Sequence, residues 1–145
     1  MKSLWNETDR AALLRRVQSV GAHSQRQWGT MSADGMLSHL LQSLQMMKGD
    51  LPVKSKKLPL RFFPLKQLVI YFLPFPKGAP TAPELLPANP RALDVCHGEI
   101  AKLFDALVAH RGPWPEHPAF GKLSHRAAGV LIYRHFDHHL RQFGA

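Results

Sequence analysis

The chain has 145 residues, 45% of them hydrophobic, enough for one compact core and too few for two, so it reads as one domain over 1–145. A formal net charge of +9 with a pI near 10.2 would draw phosphate, anionic lipid or an acidic small molecule, without choosing among them. The basic residues are scattered apart from "KSKK", and no Gly-rich phosphate cradle, helix-turn-helix spacing or aromatic-plus-basic RNA-binding signature accompanies them, which disfavours a nucleic-acid role.

The opening "MKSLWNETDR" holds no apolar stretch that could serve as a secretory signal, and the single Cys96 cannot close an intramolecular disulfide. The expectation is a reducing, cytoplasmic location. Leu13, Leu14, Val17 and Val20 then recur at three-and-four spacing, predicting a first helix over about Thr8 to His23, with Asn6 or Thr8 as N-cap. Ser32 can cap a second helix carrying Met36, Leu37, Leu40, Leu41, Leu44 and Met47 on one stripe, with a stop at Gly49. His39 sits on the margin of that stripe.

Most of the prolines fall in residues 50 to 88, which read as a long connection. Its apolar part, about Leu60 to Phe72, predicts a short helix packed as an ordered flap, because so many apolar groups are costly to leave in water. The most apolar run, Gln67 to Pro76 between Lys66 and Lys77, falls well short of the roughly 20 residues that a spanning helix needs. No transmembrane segment is expected.

"NPRALDV" predicts the start of a third helix, with Asn89 as cap and Pro90 in the first turn, running to about His110. Leu93, Cys96, Ile100, Leu103, Phe104 and Leu107 form its stripe, which makes Cys96 a small core residue. After the loop "GPWPEHPAFGKLS", Ser124 can cap a last helix over about His125 to Phe143. No segment alternates as a strand would. The fold class expected is all-α, a four-helix bundle with a long Pro-rich connection between helices two and three.

That last helix holds "YRHFDHHLRQ". Residues four apart on a helix lie about 6 Å apart along the axis and about 40° around it, so His135 and His139 can point at one ion. Asp137 falls on the opposite side and should face water. Two readings of the pair stand at this point: metal ligands, or imidazoles that interact with the dipole at a helix C-terminus. His39 bears on the choice, because a buried imidazole needs partners. One His from helix two and two from the last helix would supply three nitrogens at one point between helices, leaving open positions of the kind a reactive metal site keeps. His97 is a core histidine or a further ligand, while His23, His110, His117 and His125 at helix ends or in loops are assigned no chemistry.

Three motifs carry a family resemblance: "WGxM…MLxH" (Trp28, Gly29, Met31, Met36, Leu37, His39), the "HPAFG" loop (His117 to Gly121) and "HxxHHLxQF" (His135, His138, His139, Leu140, Gln142, Phe143). Together they resemble the DinB-like superfamily of metalloenzymes, and more narrowly one of its subfamilies of unknown function. The likeness implies a four-helix bundle, often a homodimer, in which three histidines bind a divalent metal, and some superfamily members transfer low-molecular-weight thiols. Carried onto this chain, it implies the ligands His39, His135 and His139, with His138 beside them.

A divalent ion held by three neutral imidazoles is a strong Lewis acid, and zinc, nickel and iron all suit such ligands. The spacing lacks the glutamate base that HExxH hydrolases place beside the first ligand. The resemblance, together with the basic surface, implies transfer of a small, anionic thiol to an electrophile, with Arg134, Arg141 and the "KSKK" loop attracting the anion; a metal-dependent hydrolase is the other enzymatic reading. The alternatives are a non-catalytic helical binding module, with a structural metal or none, and a basic protein associated with nucleic acid.

Overall fold

The helices begin and end where side chains meet the unpaired backbone groups of their first and last turns. In the computed structural model, which describes residues 1–145, Asn6 caps α1 (Glu7–Ser19) by accepting from the Asp9 amide. Ser32 caps α2 (Ala33–Lys48) in the same way through the Gly35 amide, and α2 stops at Gly49, whose φ of 96° is left-handed. Ser124 caps α5 (His125–Arg141) through the Ala127 amide. Between α2 and α4 (Leu93–Ala109) lie two 3-10 turns, Pro59–Arg61 and Pro83–Leu85, and the short α3 (Leu65–Tyr71). The chain is all-helical, with five α-helices and no strand; an isolated bridge pairs His117 with Gly121.

Two helix boundaries differ from expectation. α1 ends at Ser19 because Val20 leaves the helix in an extended conformation and is fully buried, while the Gly21 amide turns to the Ser24 hydroxyl at 2.9 Å. α4 begins at Leu93, and Asn89 and Pro90 remain exposed ahead of it. The reason is tertiary: the Arg91 amide donates to Ser38 Oγ on α2 at 2.8 Å, which holds the chain against that helix, and Ala92 (φ −57°, ψ 146°) is the last residue before α4. A local capping signal was overruled by a docking contact.

Twenty-eight buried hydrophobic residues form one cluster, drawn from every α-helix. α2 packs chiefly on α4, and α5 packs on α1, α2 and α3. Phe104 of α4 and Phe136 of α5 meet with ring centroids 5.2 Å apart, an arrangement worth ~0.5–1.5 kcal/mol beyond burial. Cys96 is fully buried in this core, as expected, beside the Ser38 hydroxyl. Asp137 is not free in water: it pairs with Arg16 of α1 at 2.7 Å and with Arg141 one turn along at 2.9 Å, tying α1 to the end of α5. At this exposure the pairs contribute register more than stability.

The connection is anchored from below. Arg134 of α5 donates to the carbonyls of Val69, Ile70 and Leu73, satisfying the C-terminal end of α3 with a charged donor. Arg61 bonds Ser55, the Pro118 carbonyl and Glu116, fastening the first 3-10 turn to the "HPAFG" loop. These contacts set what lies over the histidines.

Candidate metal centre

On α2, His39 is 2% exposed, and on α5 His139 is 9% exposed; His135 keeps a partly accessible edge. The positions follow from packing, since α2 is buried almost all round and its stripe carries His39 inward between Leu37 and Leu40. Each of the three imidazoles offers a ligand atom, and these atoms lie within 4.8 Å of one another. The tightest pair is His39 Nε2 and His135 Nε2, 3.1 Å apart.

The hydrogen bonds behind the rings determine which nitrogens carry protons. His39 Nδ1–H donates to the Leu85 carbonyl at 2.7 Å, and His139 Nδ1–H donates to Gln142 Oε1 at 2.7 Å. Carbonyl oxygens only accept, so both protons sit on Nδ1 and the Nε2 lone pairs of His39 and His139 are left facing the cluster. Such outer partners orient the rings and raise their basicity. Burial pushes His39 below its ordinary value against the pull of the Leu85 carbonyl. Burial, then the neighbouring charges of His139 and His39, holds His135 well below it. Burial also pushes His139 down to about 3. All three rings are neutral at pH 7, the form in which imidazole binds metal.

The donor set fits a divalent ion. Two nitrogens bound to one ion at about 2.0–2.1 Å can stand no more than about 4.2 Å apart. The widest separation here, 4.8 Å, is within a small side-chain adjustment of that limit. The pair at 3.1 Å is compatible with either state: without an ion His135 Nε2–H donates to the His39 Nε2 lone pair, and with one both nitrogens can turn to it.

The other histidines divide cleanly. His97 bonds the Val20 carbonyl at 3.0 Å and stands outside the cluster, so it is a core histidine and not a fourth ligand. His125 stacks on Trp5 at 4.6 Å, and His110 meets the Pro113 carbonyl. His138 is not one of the three converging rings but stands beside them, its ring 5.1 Å from that of His139 and edge-on to Trp28 at 4.9 Å. His117 carries more than its loop position suggested. Its Nδ1 accepts from the Ala119 and Phe120 amides at 3.2 and 3.3 Å, which leaves Nε2 as a donor, and it lies near enough for its charge to act on His135. Burial, followed by Lys66 and Arg61, pushes His117 down to about 4.

Residues of the long connection reach the site. Leu85 bonds His39, Phe75 lies 5.9 Å from the His138 ring, and Lys77 lies over Trp28 at 5.0 Å. Two arginines expected to attract an anion are otherwise engaged, Arg134 with α3 and Arg141 with Asp137, while Lys77 lies over Trp28 beside His138. Sequence reasoning missed Leu85, because a backbone carbonyl leaves no trace in residue identity. The role of Gly29 was legible only as a motif letter. Its φ is 89°, and a Cβ there would come within 2.7 Å of the Gln142 amide nitrogen, so glycine lets the loop close over the residue that orients His139.

A family model described as "Protein of unknown function (DUF1569)" matches residues 3–145. No curated protein and no solved structure matches the chain.

Proposed function

Since the chain belongs to the DUF1569 family, we propose that it is a metal-dependent enzyme that uses His39, His135 and His139 as ligands to transfer a small thiol to an electrophile. The observation that carries this reading is the convergence of three neutral imidazoles within 4.8 Å from two helices. In this reading α1, α2, α4 and α5 are the helices of a four-helix bundle forming one domain over 1–145, α3 belongs to a flap, and the DinB-like resemblance of the motifs supports the same ligand set.

When bound, a divalent ion such as zinc, nickel or iron supplies Lewis acidity that favours the deprotonated form of a thiol. The chain's own residues do the rest. Leu85 and Gln142 keep the rings of His39 and His139 aimed inward. Trp28 and Phe75 beside His138, with Lys77 over the first ring and Arg134 over the second, offer an apolar wall with cations for an anionic thiol. His117, whose Nδ1 accepts from the Ala119 and Phe120 amides, keeps an Nε2–H donor that in this reading serves a leaving group departing with its electron pair. In the overall step a sulfur–carbon bond forms as the carbon bond to the leaving group breaks, the leaving group takes that bond's electron pair, and the thiol's proton ends on the leaving group.

Thiol transfer is favoured over hydrolysis because no carboxylate joins the three histidines. Asp137, the carboxylate nearest in sequence, is paired with two arginines. Elemental analysis of untagged protein tests the ligand set: about one divalent ion per chain is expected, lost in His135→Ala. Absence of metal in protein refolded with zinc, nickel or iron would leave a helical binding module. A panel of thiols against electrophilic acceptors then tests the reaction, and no metal-dependent conjugation would overturn it. A homodimer is part of the same reading, checked by light scattering.

A further inference from the structure

Away from the histidines, the segment around α3 turns large apolar side chains outward. Phe63 is 81% exposed, Phe62 and Phe72 are each 70% exposed, and Leu68 and Leu73 are also open. On α3, Leu65 and Leu68 fall within about 60° of each other on one outward face, followed by exposed Phe72 just past the helix end, while Ile70 on the inner side is buried. Scattered surface hydrophobics are ordinary, but this many in a dozen residues is a patch.

Its surroundings are cationic. From Leu51 to Pro83 the chain has six basic residues and no acidic one: Lys54, Lys56, Lys57, Arg61, Lys66 and Lys77. The Lys66 ammonium turns back to the Lys122 carbonyl, and Arg126 lies over Tyr71 of α3, which brings two further basic residues beside the patch. Two carboxylates approach from outside the segment: Glu116 offsets Arg61, and Glu84 accepts from the Lys54 amide, which leaves the lysines in excess.

We propose that this face, Phe62, Phe63, Leu65, Leu68 and Phe72 with the surrounding lysines, docks on the surface of an anionic lipid bilayer. Charge complementarity selects that occupant. A second copy seated on this face would set its six basic residues against the same six, so a homodimer would form through another surface, whereas anionic headgroups attract juxtamembrane lysines and the aromatic side chains enter the acyl boundary. The run is far too short to span, so the contact lies in the plane of the interface. Arg134, which holds the C-terminal end of α3, gives the face a rigid base.

The test is co-sedimentation of the full chain with phosphatidylcholine vesicles, with and without about a third phosphatidylserine. Association is expected only with the anionic vesicles, and it should weaken as salt is added. Phe62→Ser/Phe63→Ser/Phe72→Ser should reduce it roughly tenfold or more, and Lys54→Glu/Lys57→Glu should reduce it as well. Phe63→Ser alone, at the most exposed of these positions, keeps the test valid if the triple variant fails to fold. No association with anionic vesicles overturns the proposal, as does vesicle binding unchanged by the substitutions. Conversion of a dimer to a monomer by Phe63→Ser without vesicle binding would assign the face to a second copy. Loss of single-stranded DNA binding without vesicle binding would assign it to nucleic acid; either result overturns the proposal.

Discussion

His39 Nε2 and His135 Nε2 stand 3.1 Å apart, although 96 residues separate them in the chain. Burial keeps both rings neutral, so this is an approach of two potential acceptors that a single proton or a shared ion must reconcile. Replacing either ring by alanine removes one third of the donor set. His39→Ala and His135→Ala should each abolish stoichiometric metal, read by elemental analysis after dialysis. Full retention of metal in His39→Ala would disprove a site shared between α2 and α5.

Gln142 touches no ion in this reading but holds His139 through Nδ1 at 2.7 Å. Removing such an outer partner commonly lowers metal affinity roughly 10- to 100-fold. Gln142→Leu should therefore bind metal more weakly while keeping its stoichiometry at saturation. Competition with a chromogenic chelator measures the shift, and an unchanged affinity would assign Gln142 to packing alone.

Gly29→Ala places a Cβ on a residue with φ of 89° and against the Gln142 amide. The left-handed conformation alone costs about 1–2 kcal/mol for an L-residue. A lower thermal midpoint is expected together with weakened metal binding, since the displaced amide is the one that orients His139. Loss of stability without any change in metal affinity would separate the loop from the site.

The buried imidazoles set a pH dependence for the metal-stripped protein. Their folded-state values lie below the ordinary 6.5, with His139 at about 3 and His117 at about 4, so the unfolded chain binds more protons than the folded one in the window below about 6.5. Stability is therefore present above that window and lost as pH falls through it. Each such proton steepens the fall by ~1.4 kcal/mol per pH unit. Urea titrations at neutral and mildly acidic pH should show it, and His139→Asn should flatten the slope. Stability constant across that range would mean that the rings are not held neutral.

Arg134→Ala removes the charged donor from the carbonyls of Val69, Ile70 and Leu73. Bonds to charged donors are each worth ~1.5–3 kcal/mol, so α3 should detach more readily than the core unfolds. Limited proteolysis within residues 60–75 is expected to accelerate while metal content is retained. Unchanged cleavage would show that Val69 and Ile70 hold α3 by packing alone.

Much of the helical order was legible because it is local. Ser32, Gly49 and Ser124 act within a turn of their own positions, and the apolar spacing of α2 already placed Leu40 and Leu44 inside. Where a distant contact competes, local reasoning fails. Asn89 is a good cap by residue type, yet Arg91 docks on Ser38 and the helix begins later. Asp137 shows the same limit, since its expected solvent face is the face that meets Arg16 of α1.

By itself the sequence determined that the chain is helical and that His135 and His139 share a face, because both follow from hydrogen bonding and periodicity within a few residues. Only the tertiary structure decided that His39 meets them, that the Leu85 carbonyl fixes its tautomer, and that Arg134 holds α3. Those relationships depend on how α2, α5 and the connection between α2 and α4 pack in space, where side-chain volume and unpaired backbone groups select one arrangement that no short stretch of residues encodes.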